Sequence, residues 1–424
     1  MGGLIFAAPA SGSGKTTVTL GFLRAVTRNG AAIRSAKSGP DYIDPRFHAA
    51  ASGRDCVNLD AWAMTPDRLR SLAHGQRDET LLIEGAMGLF DGAPPNGKGA
   101  TADLARILGL PVVLIIDCGR MAGSVAAIAR GFMTHADDVT VAGVILNNVG
   151  SARHEAMLRN ALTGVTIFGA VPRDKALAQP SRHLGLQQAE ERADLDSFLE
   201  TAADIMDRHL DIAALLRLAD QFPVPNGQRQ PLAPPGQRIA VASDRAFGFS
   251  YPHMLSDWQQ AGAELRLFSP LADAPVPDAD FIYLPGGYPE LHAARLAQSQ
   301  RFLSSLRAAA QTTPVYGECG GYMVLGDGLI DADGTRHQMA GLLRLETSFA
   351  QRRLHLGYRH LSPLRGPFDT RFAGHEFHYA TTLKAEGTPL FSAQDAEGTP
   401  LPEMGLVEGY VTGSFAHVID AIPN

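Results

Sequence analysis

In the first half of the chain, short apolar runs alternate with longer amphipathic stretches. The runs LIFAA, TLLIE, PVVLIID and VTVAGVIL are typical of parallel strands covered on both faces. AAIRSAKSG is predicted to be a further strand, delivering Lys37 to its end. The pattern predicts a doubly wound α/β domain, whose later elements are helix 101–109, strand 111–117, helix 121–135, strand 139–146, helix 152–162, strand 165–170 and a helical stretch to about residue 219.

The second half repeats this alternation after a change in composition. Residues 221–237 contain five prolines and show no periodicity, so they are predicted to be an extended linker. The strands RIAVASD, ELRLFS, DFIYLPGG and TPVYGE then alternate with helices near 252–262 and 289–310. We therefore expect two doubly wound α/β domains, at 1–220 and 238–424, as the chain length also suggests.

Composition narrows the range of partners. The formal charge is −7 without an evident basic face, so nucleic acid is not an expected partner. No apolar run approaches the ~18 residues of a membrane span, and LIFAA is too short and lacks the basic flank of a signal peptide. The three cysteines are far apart, which indicates a reducing cytoplasm without a disulfide framework. A homodimer is also expected.

The stretch LIFAAPASGSGKTT lies between the first strand and an amphipathic helix. Small residues followed by Gly-Lys-Thr predict a phosphate-binding loop, whose backbone N–H groups converge on phosphate oxygens at a helix N-terminus. Pro9 stands where the usual pattern has glycine, so a helix-capping turn is the alternative. The predicted ATP-binding residues are Gly12, Ser13, Gly14, Lys15, Thr16 and Thr17, with Lys15 for the terminal phosphates and the Thr16 hydroxyl for magnesium.

Three further segments are expected beyond strand ends at the same edge of the sheet, where ligands of such sheets bind. GPDYIDP follows the second strand, TLLIEGAMGLFD ends its strand at Glu84, and strand 139–146 delivers Asn147. Glu84 is predicted to bind magnesium. A plain Asx/Pro turn and a surface carboxylate are the alternatives for GPDYIDP and Asp91. The candidates for substrate or acyl phosphate are Lys37, Asp41, Tyr42, Asp44 and Asp91, with Asp41 also a candidate metal ligand.

A different chemistry is indicated at Gly317–Met323, where a strand runs into GECGGYM. The flanking glycines permit a sharp turn that projects Cys319, and the helix N-terminus after it is expected to lower the thiol pKa. A buried structural cysteine is the alternative. Backbone N–H groups of Gly287 and Gly320 are expected to form an oxyanion hole, and His417 to be the base.

These motifs carry family resemblances. The first loop resembles that of the dethiobiotin synthetase group, in which the residue at the position of Asn147 contacts the adenine base. GECGGY with a downstream histidine resembles the class I glutamine amidotransferases. Together with GPDYIDP, EGAMGLFDG, LPGGYPE and GHEFHYA, they make the whole chain similar to the a,c-diamide synthases of corrinoid biosynthesis.

The resemblance implies amidation of the a and c carboxylates of hydrogenobyrinic or cobyrinic acid through acyl phosphates, with ATP, Mg²⁺ and glutamine. Ile419 stands where the amidotransferases usually have a glutamate, so Cys319 and His417 would form a dyad, or a carboxylate such as Glu376 would orient the histidine. AFGFSYPHML also departs from the family pattern and leaves the preferred corrinoid open. The alternatives are a P-loop ATPase switch, disfavoured by Ala10 in place of lysine, and a synthase acting on another macrocycle such as nickel-sirohydrochlorin.

Overall fold

The computed structural model describes residues 2–74, 79–178 and 188–423. The chain divides into two compact units, Met1–Gln230 and Pro231–Asn424. The boundary falls inside the proline-rich stretch 221–237. Among the described helices, none has both the length and the apolar character needed to cross a membrane.

Within the described residues, the first unit contains a parallel sheet of seven strands. The strands are β1 Gly2–Ala7, β2 Ile33–Ser38, β3 Val57–Leu59, β4 Thr80–Glu84, β5 Val112–Asp117, β6 Val141–Val149 and β7 Ile167–Pro172. Their order is β3-β2-β4-β1-β5-β6-β7. Because β1 pairs with both β4 and β5, the loops that follow β1 and β4 share one edge of the sheet, where the winding reverses.

Helices connect these strands, as the amphipathic stretches predicted. They are α1 Lys15–Arg28, α2 Asp44–Ser52, α3 Pro66–Ala73, α4 Thr101–Leu108, α5 Val125–Thr134, α6 Ala152–Ala161, α7 Leu195–His209 and α8 Ile212–Asp220. Short 3₁₀ turns occupy Lys175–Leu177 and Ala189–Glu191. The helical stretch predicted to end near residue 219 is therefore interrupted, and its part at 179–187 lies outside the described residues.

The second unit combines a mostly parallel sheet with two smaller sheets. Its strands are β8 Arg238–Ala242, β9 Glu264–Phe268, β10 Phe281–Leu284, β11 Val315–Glu318, β12 Gly328–Ile330, β13 Arg336–Gln338, β14 Arg344–Ser348, β15 His355–Pro363, β16 Phe372–His378, β17 Thr381–Glu386, β18 Phe391–Gln394, β19 Pro400–Met404, β20 Leu406–Glu408, β21 Val411–Ser414 and β22 His417–Ala421. The main sheet has the order β20-β21-β11-β10-β8-β9, and only its edge strand β20 is antiparallel.

The α/β class predicted for both halves is confirmed. The helices of the second unit are α9 Pro252–Gln260, α10 Ala293–Gln298, α11 Gln300–Ala309 and α12 Gly320–Leu325. The single helix predicted near 289–310 is wrong, because a 3₁₀ turn at Pro289–His292 and a break at Ser299 divide it. The sheets β13-β12-β14-β17 and β19-β18-β15-β16-β22, which are mainly antiparallel, were not predicted.

Candidate active sites

The loop between β1 and α1 has the backbone conformation that a phosphate site requires. Gly12 and Gly14 adopt φ of 80° and 84°, in the left-handed region. Helix α1 begins directly after Gly14, which makes no side-chain cap. A Cβ on Gly14 would lie 2.2 Å from the amide nitrogen of Asn147, so only glycine fits. The first N–H groups of α1, which a helix leaves without backbone partners, are the donors that a phosphate would use.

The loop after β4 packs against this phosphate-binding loop. A Cβ on Gly88 would lie 2.6 Å from the carbonyl oxygen of Pro9. Met87, with φ of 50°, accepts a hydrogen bond from Lys15 Nζ at 2.6 Å. Asp91 Oδ2 accepts a hydrogen bond from the Gly88 N–H at 2.9 Å. The two predicted loops therefore meet. The hydrogen bond from Gly88 fixes Asp91 within the loop after β4, which also contacts Lys15.

Glu84 is the centre of a buried charged cluster at the end of β4. Thr16 Oγ1 donates a hydrogen bond to Glu84 Oε1 at 2.6 Å, and Lys37 Nζ donates to the same atom at 2.8 Å. Lys37 Nζ also donates to Asp44 Oδ2 at 2.6 Å. The second oxygen of Glu84 lies 2.7 Å from His48 Nε2, a contact that the sequence pattern did not reveal. The four predicted residues of this cluster are thus brought together.

The charges of the cluster depend on one another. Burial disfavours charged Lys37, but the carboxylates of Asp44 and Glu84 outweigh it and raise the lysine pKa. Burial likewise opposes ionised Glu84, but Lys37 and His48 lower its pKa. The pKa of Lys15 is lowered by its burial and then by the charge of Lys37. A phosphate placed between these two lysines would therefore relieve their repulsion.

The oxygen atoms around Thr16 fit a magnesium ion. Thr16 Oγ1 lies 2.6 Å from Glu84 Oε1 and 3.4 Å from Asp44 Oδ2, and Mg²⁺ prefers hydroxyl and carboxylate oxygens. Asp41, predicted as a metal ligand, is engaged differently, because its Oδ1 accepts the N–H groups of Ile43 and Asp44 at 2.8 and 3.1 Å. The structure therefore places Asp44 beside Thr16, while Asp41 holds the start of α2.

The remaining residues of the loop between β2 and α2 are partly or fully enclosed. Tyr42 is buried. Burial, and then the charge of Asp44, raise the pKa of Asp41 to about 6. Asn58 Nδ2 donates hydrogen bonds to the carbonyls of Gly39 and Asp41, at 2.9 and 2.7 Å. The loop is thus more than an exposed Asx/Pro turn, since Asn58 of β3 and Lys37 of β2 both hold it.

A cavity of about 640 Å³ lies next to the phosphate-binding loop. Asn147 Nδ2 donates a hydrogen bond to the Ser13 carbonyl at 2.9 Å, and Ser13 Oγ donates to the Ala10 carbonyl at 2.8 Å. The amide predicted to read adenine thus also braces the loop. Arg173 and Asn148 were not predicted as site residues, but both line the cavity, together with Gly14, Thr17, Asp117, Gly119, Arg120, Met121, Asn147, Asp174, Lys175, Leu177 and Ala178.

In the second unit, Cys319 occupies a strained turn between β11 and α12. Its φ of 45° is in the region that favours glycine, and the residue is only 3% exposed. A Cβ on Gly321 would lie 2.0 Å from the carbonyl oxygen of Leu284, and the Cys319 N–H donates to the Ser414 carbonyl at 2.8 Å. This geometry agrees with the sharp turn predicted from the glycines, and the neighbouring backbone fixes it.

The prediction that the helix N-terminus lowers the pKa of Cys319 is wrong for the net effect. Burial is the largest influence and raises the thiol pKa, and the charge of Glu290 raises it further. A hydrogen bond from the Gly320 backbone opposes the rise, while Glu318 and Glu376 add to it. Since α12 has six residues, its end is a weak source of positive potential. The thiol therefore needs a base to form a thiolate.

The predicted oxyanion glycines face one another. A Cβ on Gly320 would lie 2.9 Å from the backbone nitrogen of Gly287 and 2.9 Å from Pro289 Cδ. In the same loop, a Cβ on Gly286 would lie 2.2 Å from His417 Cε1. Close packing of bare backbone thus brings the loop after β10, the turn at Cys319 and His417 together.

Glu318 is the carboxylate beside His417, and the sequence pattern missed it. Its Oε2 lies 3.7 Å from His417 Nδ1 and accepts a hydrogen bond from the Tyr283 hydroxyl at 2.7 Å. Its Oε1 accepts the N–H of Val418 at 3.0 Å, which ties it to the residue after the histidine. A buried acid at the end of an apolar strand was the available signal, as at Glu84.

Glu376, suggested as the orienting carboxylate, has other partners. It accepts hydrogen bonds from Arg359 at 3.0 Å and forms a pair with His378 at 2.9 Å. Burial opposes its charge, but His378 and then Arg359 lower its pKa to about 2. The ligand atoms of His355, Glu376 and His378 lie within 4.8 Å of one another, as a metal site would need. Both oxygens of the Glu376 carboxylate are occupied, one by Arg359 and the other by His378, and we assign these residues to a structural network.

The departures from the family pattern near the thiol are buried and have local partners. Ile419 is completely buried in β22, where the amidotransferases have an acid. Its carbonyl lies 2.9 Å from His253 Nε2, and His253 and Met254 are themselves buried. These substitutions therefore serve the packing of β22 against α9, and they do not by themselves indicate a corrinoid.

Comparison with known proteins shows the family of each unit. Residues 4–186 match a family described as the CobQ/CobB/MinD/ParA nucleotide binding domain, and residues 238–422 match the CobB/CobQ-like glutamine amidotransferase domain. The hydrogenobyrinate a,c-diamide synthase of Brucella abortus biovar 1 (strain 9-941) is 57% identical, over 99% of each chain. The proteins of that name from Rhodobacter capsulatus and Rhizobium meliloti (strain 1021) are 54% and 53% identical, over 98% and 99% of each chain. The chain thus belongs to the family of hydrogenobyrinate a,c-diamide synthases.

Proposed function

We propose that this protein is a carbon–nitrogen ligase that amidates the a and c side-chain carboxylates of hydrogenobyrinic acid, with ATP and glutamine as co-substrates. The observation that carries the proposal is that one chain contains both Lys15 with the Thr16–Glu84 cluster and the turn at Cys319, where Gly320 meets Gly287 and Gly286 meets His417. A free carboxylate is a poor electrophile, so it needs the first site to activate it. The second site is needed to release ammonia from glutamine. Neither chemistry alone yields an amide from glutamine.

Cys319 supplies the nucleophile for ammonia production. His417 accepts the thiol proton as the sulfur attacks the amide carbonyl of glutamine, and the N–H groups of Gly287 and Gly320 stabilise the oxyanion. Collapse of the adduct releases ammonia, which takes its proton from His417, and leaves a thioester. Water then hydrolyses the thioester to glutamate and restores the thiol. Glu318 is the positioning residue that holds His417 through the backbone of Val418.

The first unit activates the carboxylate. The N–H groups at the start of α1 and the side chain of Lys15 bind the ATP phosphates, and Lys37 neutralises charge near the transferred group. Attack of a substrate carboxylate oxygen on the γ-phosphorus expels ADP and forms an acyl phosphate. Ammonia displaces phosphate from that carbonyl, leaving an amide and a released proton. Thr16, Glu84 and Asp44 are the residues to hold Mg²⁺, which would offset phosphate charge when bound.

The sequence left three macrocycles possible as the substrate. The relatives reported above are all named for hydrogenobyrinate, which favours hydrogenobyrinic acid over cobyrinic acid and nickel-sirohydrochlorin. The expected cytoplasmic location and homodimeric state stay predictions.

The test separates the two sites by nitrogen source. Cys319→Ala should lose glutamine-dependent synthesis by about 1,000-fold or more but keep synthesis with added ammonium salts. Lys15→Ala should lose product with either source, because it acts on phosphoryl transfer. Formation of diamide from hydrogenobyrinic acid, measured by mass spectrometry, is the readout. Glutamine-driven product from Cys319→Ala would remove the thiol from the mechanism.

A further inference from the structure

Glu290 lies directly after the loop assigned to the oxyanion hole. It belongs to the one-turn 3₁₀ helix Pro289–His292. A Cβ on Gly320 would approach Pro289 Cδ to 2.9 Å, so this turn packs on the residue that follows the nucleophile. The Glu290 side chain therefore starts close to the reacting thiol.

Glu290 is partly exposed as a residue, but one oxygen of its carboxylate is enclosed. This oxygen, Oε2, accepts no hydrogen bond from any residue that the structure describes. Burial raises its pKa to about 8; only its own backbone N–H and the charge of Arg352 oppose that rise. An enclosed acceptor without a hydrogen bond is unfavourable unless a bound molecule supplies the donor.

Glu290 also acts on Cys319. After burial, its charge is the largest influence raising the thiol pKa, ahead of Glu318 and Glu376. Those other two carboxylates are satisfied, Glu318 by Tyr283 and the Val418 N–H, and Glu376 by Arg359 and His378. Within the described parts of the chain, Glu290 alone of the three has no side-chain hydrogen bond or ion pair. With its pKa raised to about 8, the free carboxyl group is mostly protonated at neutral pH, and a cation from the substrate would favour its ionised form and offset its charge beside the thiol.

We propose that Glu290 binds the α-ammonium group of the glutamine donor. The inference rests on the proposed glutaminase reaction and names the group that selects its substrate. Glutamine carries its ammonium group a few bonds from the amide carbonyl that Cys319 attacks, so both ends of one small molecule engage neighbouring residues. Binding completes the enclosed acceptor with a charged hydrogen bond and leaves no net negative charge beside the thiol.

The test compares glutamine with glutaramic acid, the same amide without the α-amino group. The wild-type full chain, with ATP, Mg²⁺ and hydrogenobyrinic acid present, should prefer glutamine in kcat/KM for amide hydrolysis by about 10- to 100-fold. Glu290→Gln should lose about that factor with glutamine, mainly through KM, and change little with glutaramic acid. Glu290→Asp should retain part of the preference. Glu403→Gln, an exposed glutamate on β19, is the matched control and should behave as wild type.

Several outcomes would overturn the inference. A wild-type enzyme that uses both amides equally well has no site for the α-ammonium group, and this comparison needs no variant. An unchanged preference in Glu290→Gln, or an equal loss with both amides, would assign the residue a structural role. Synthesis with ammonium salts reports separately on folding and on the proposed function. If wild type makes no diamide from hydrogenobyrinic acid but prefers glutamine in hydrolysis, the proposed macrocycle fails while the assignment of Glu290 stands.

Discussion

Glu84 and Glu318 each end a buried parallel strand, and each carries the charge around which its site is arranged. Glu84 could be predicted because an acid directly after an apolar run, here Leu-Leu-Ile, is unusual at the end of a buried strand. Glu318 has the same signal, but its role depends on β22, whose residue Val418 is 100 positions away in sequence. Periodicity along one segment cannot reveal such a contact. The partners of Glu84 and Glu318 therefore had to come from the structure.

The role of Glu318 can be tested through its effect on turnover. Glu318→Gln keeps the shape but removes the charge beside His417, so kcat for glutamine-dependent synthesis should fall by about 10- to 100-fold with KM for glutamine little changed. Tyr283→Phe removes one hydrogen bond to the same carboxylate and keeps its charge, so its loss should be smaller. Synthesis with ammonium salts should be unaffected by both. A Glu318→Gln variant with normal kcat, or one impaired with ammonium too, contradicts this assignment.

Asp44 is the residue by which the loop between β2 and α2 enters the chemistry. Its contact with Lys37 at 2.6 Å means that Asp44→Asn leaves the lysine paired with Glu84 alone. We expect product formation to slow by about 10-fold or more, with a smaller effect on KM for the corrinoid, and the monoamide to accumulate.

Mass spectra taken during the time course measure this effect. Asp196→Asn, at an exposed ion pair with Arg24, is the matched control. An Asp44→Asn variant with the wild-type rate and no accumulated monoamide would show that the loop is a bystander.

At the scale of elements, regular patterns were predictable and irregular ones were not. The strands and helices of the first unit follow long apolar or amphipathic runs, so their succession along the chain could be derived from periodicity. Strands β15 and β17 have mixed burial without an alternating pattern, which is why the smaller sheets of the second unit were missed. The division of the predicted helix 289–310 begins with the 3₁₀ turn at Pro289–His292, which packs against Gly320, a tertiary requirement that no local pattern reveals.

The junction between the loop after β10 and β22 depends on one glycine. A methyl group on Gly286 would lie 2.2 Å from His417 Cε1, so Gly286→Ala must displace the histidine or the loop. We expect glutamine-dependent synthesis to fall by about 100-fold, because both the base and the oxyanion donors shift. Synthesis with ammonium salts should persist.

Gly131→Ala provides the control for this change. It adds the same methyl group in α5, where nothing lies within 4 Å, and should leave both activities unchanged. Full glutamine use by Gly286→Ala would show that His417 tolerates displacement and is not a tightly placed base.

At the scale of the whole molecule, each unit has its own parallel sheet and its own reactive groups. The boundary at Gln230 and Pro231 separates the residues for which we propose a role in phosphoryl transfer from those for which we propose a role in ammonia supply. Both classes of chemistry could be predicted from motifs, since each motif combines a strand end, glycines and a reactive side chain. The macrocycle could not be predicted, because the residues that depart from the family pattern do not indicate a particular corrinoid.

The most direct test of the account is the mass of the product formed by the wild-type chain from hydrogenobyrinic acid with ATP, Mg²⁺ and glutamine. Each conversion of a carboxylic acid to an amide lowers the mass by about one unit, and two should occur, with ADP, phosphate and glutamate formed in equal amounts to the amide groups. Cobyrinic acid and nickel-sirohydrochlorin, run in parallel, should react more slowly. Hydrogenobyrinic acid that returns with unchanged mass, while ATP is hydrolysed without glutamine, would contradict the account and favour an ATPase switch.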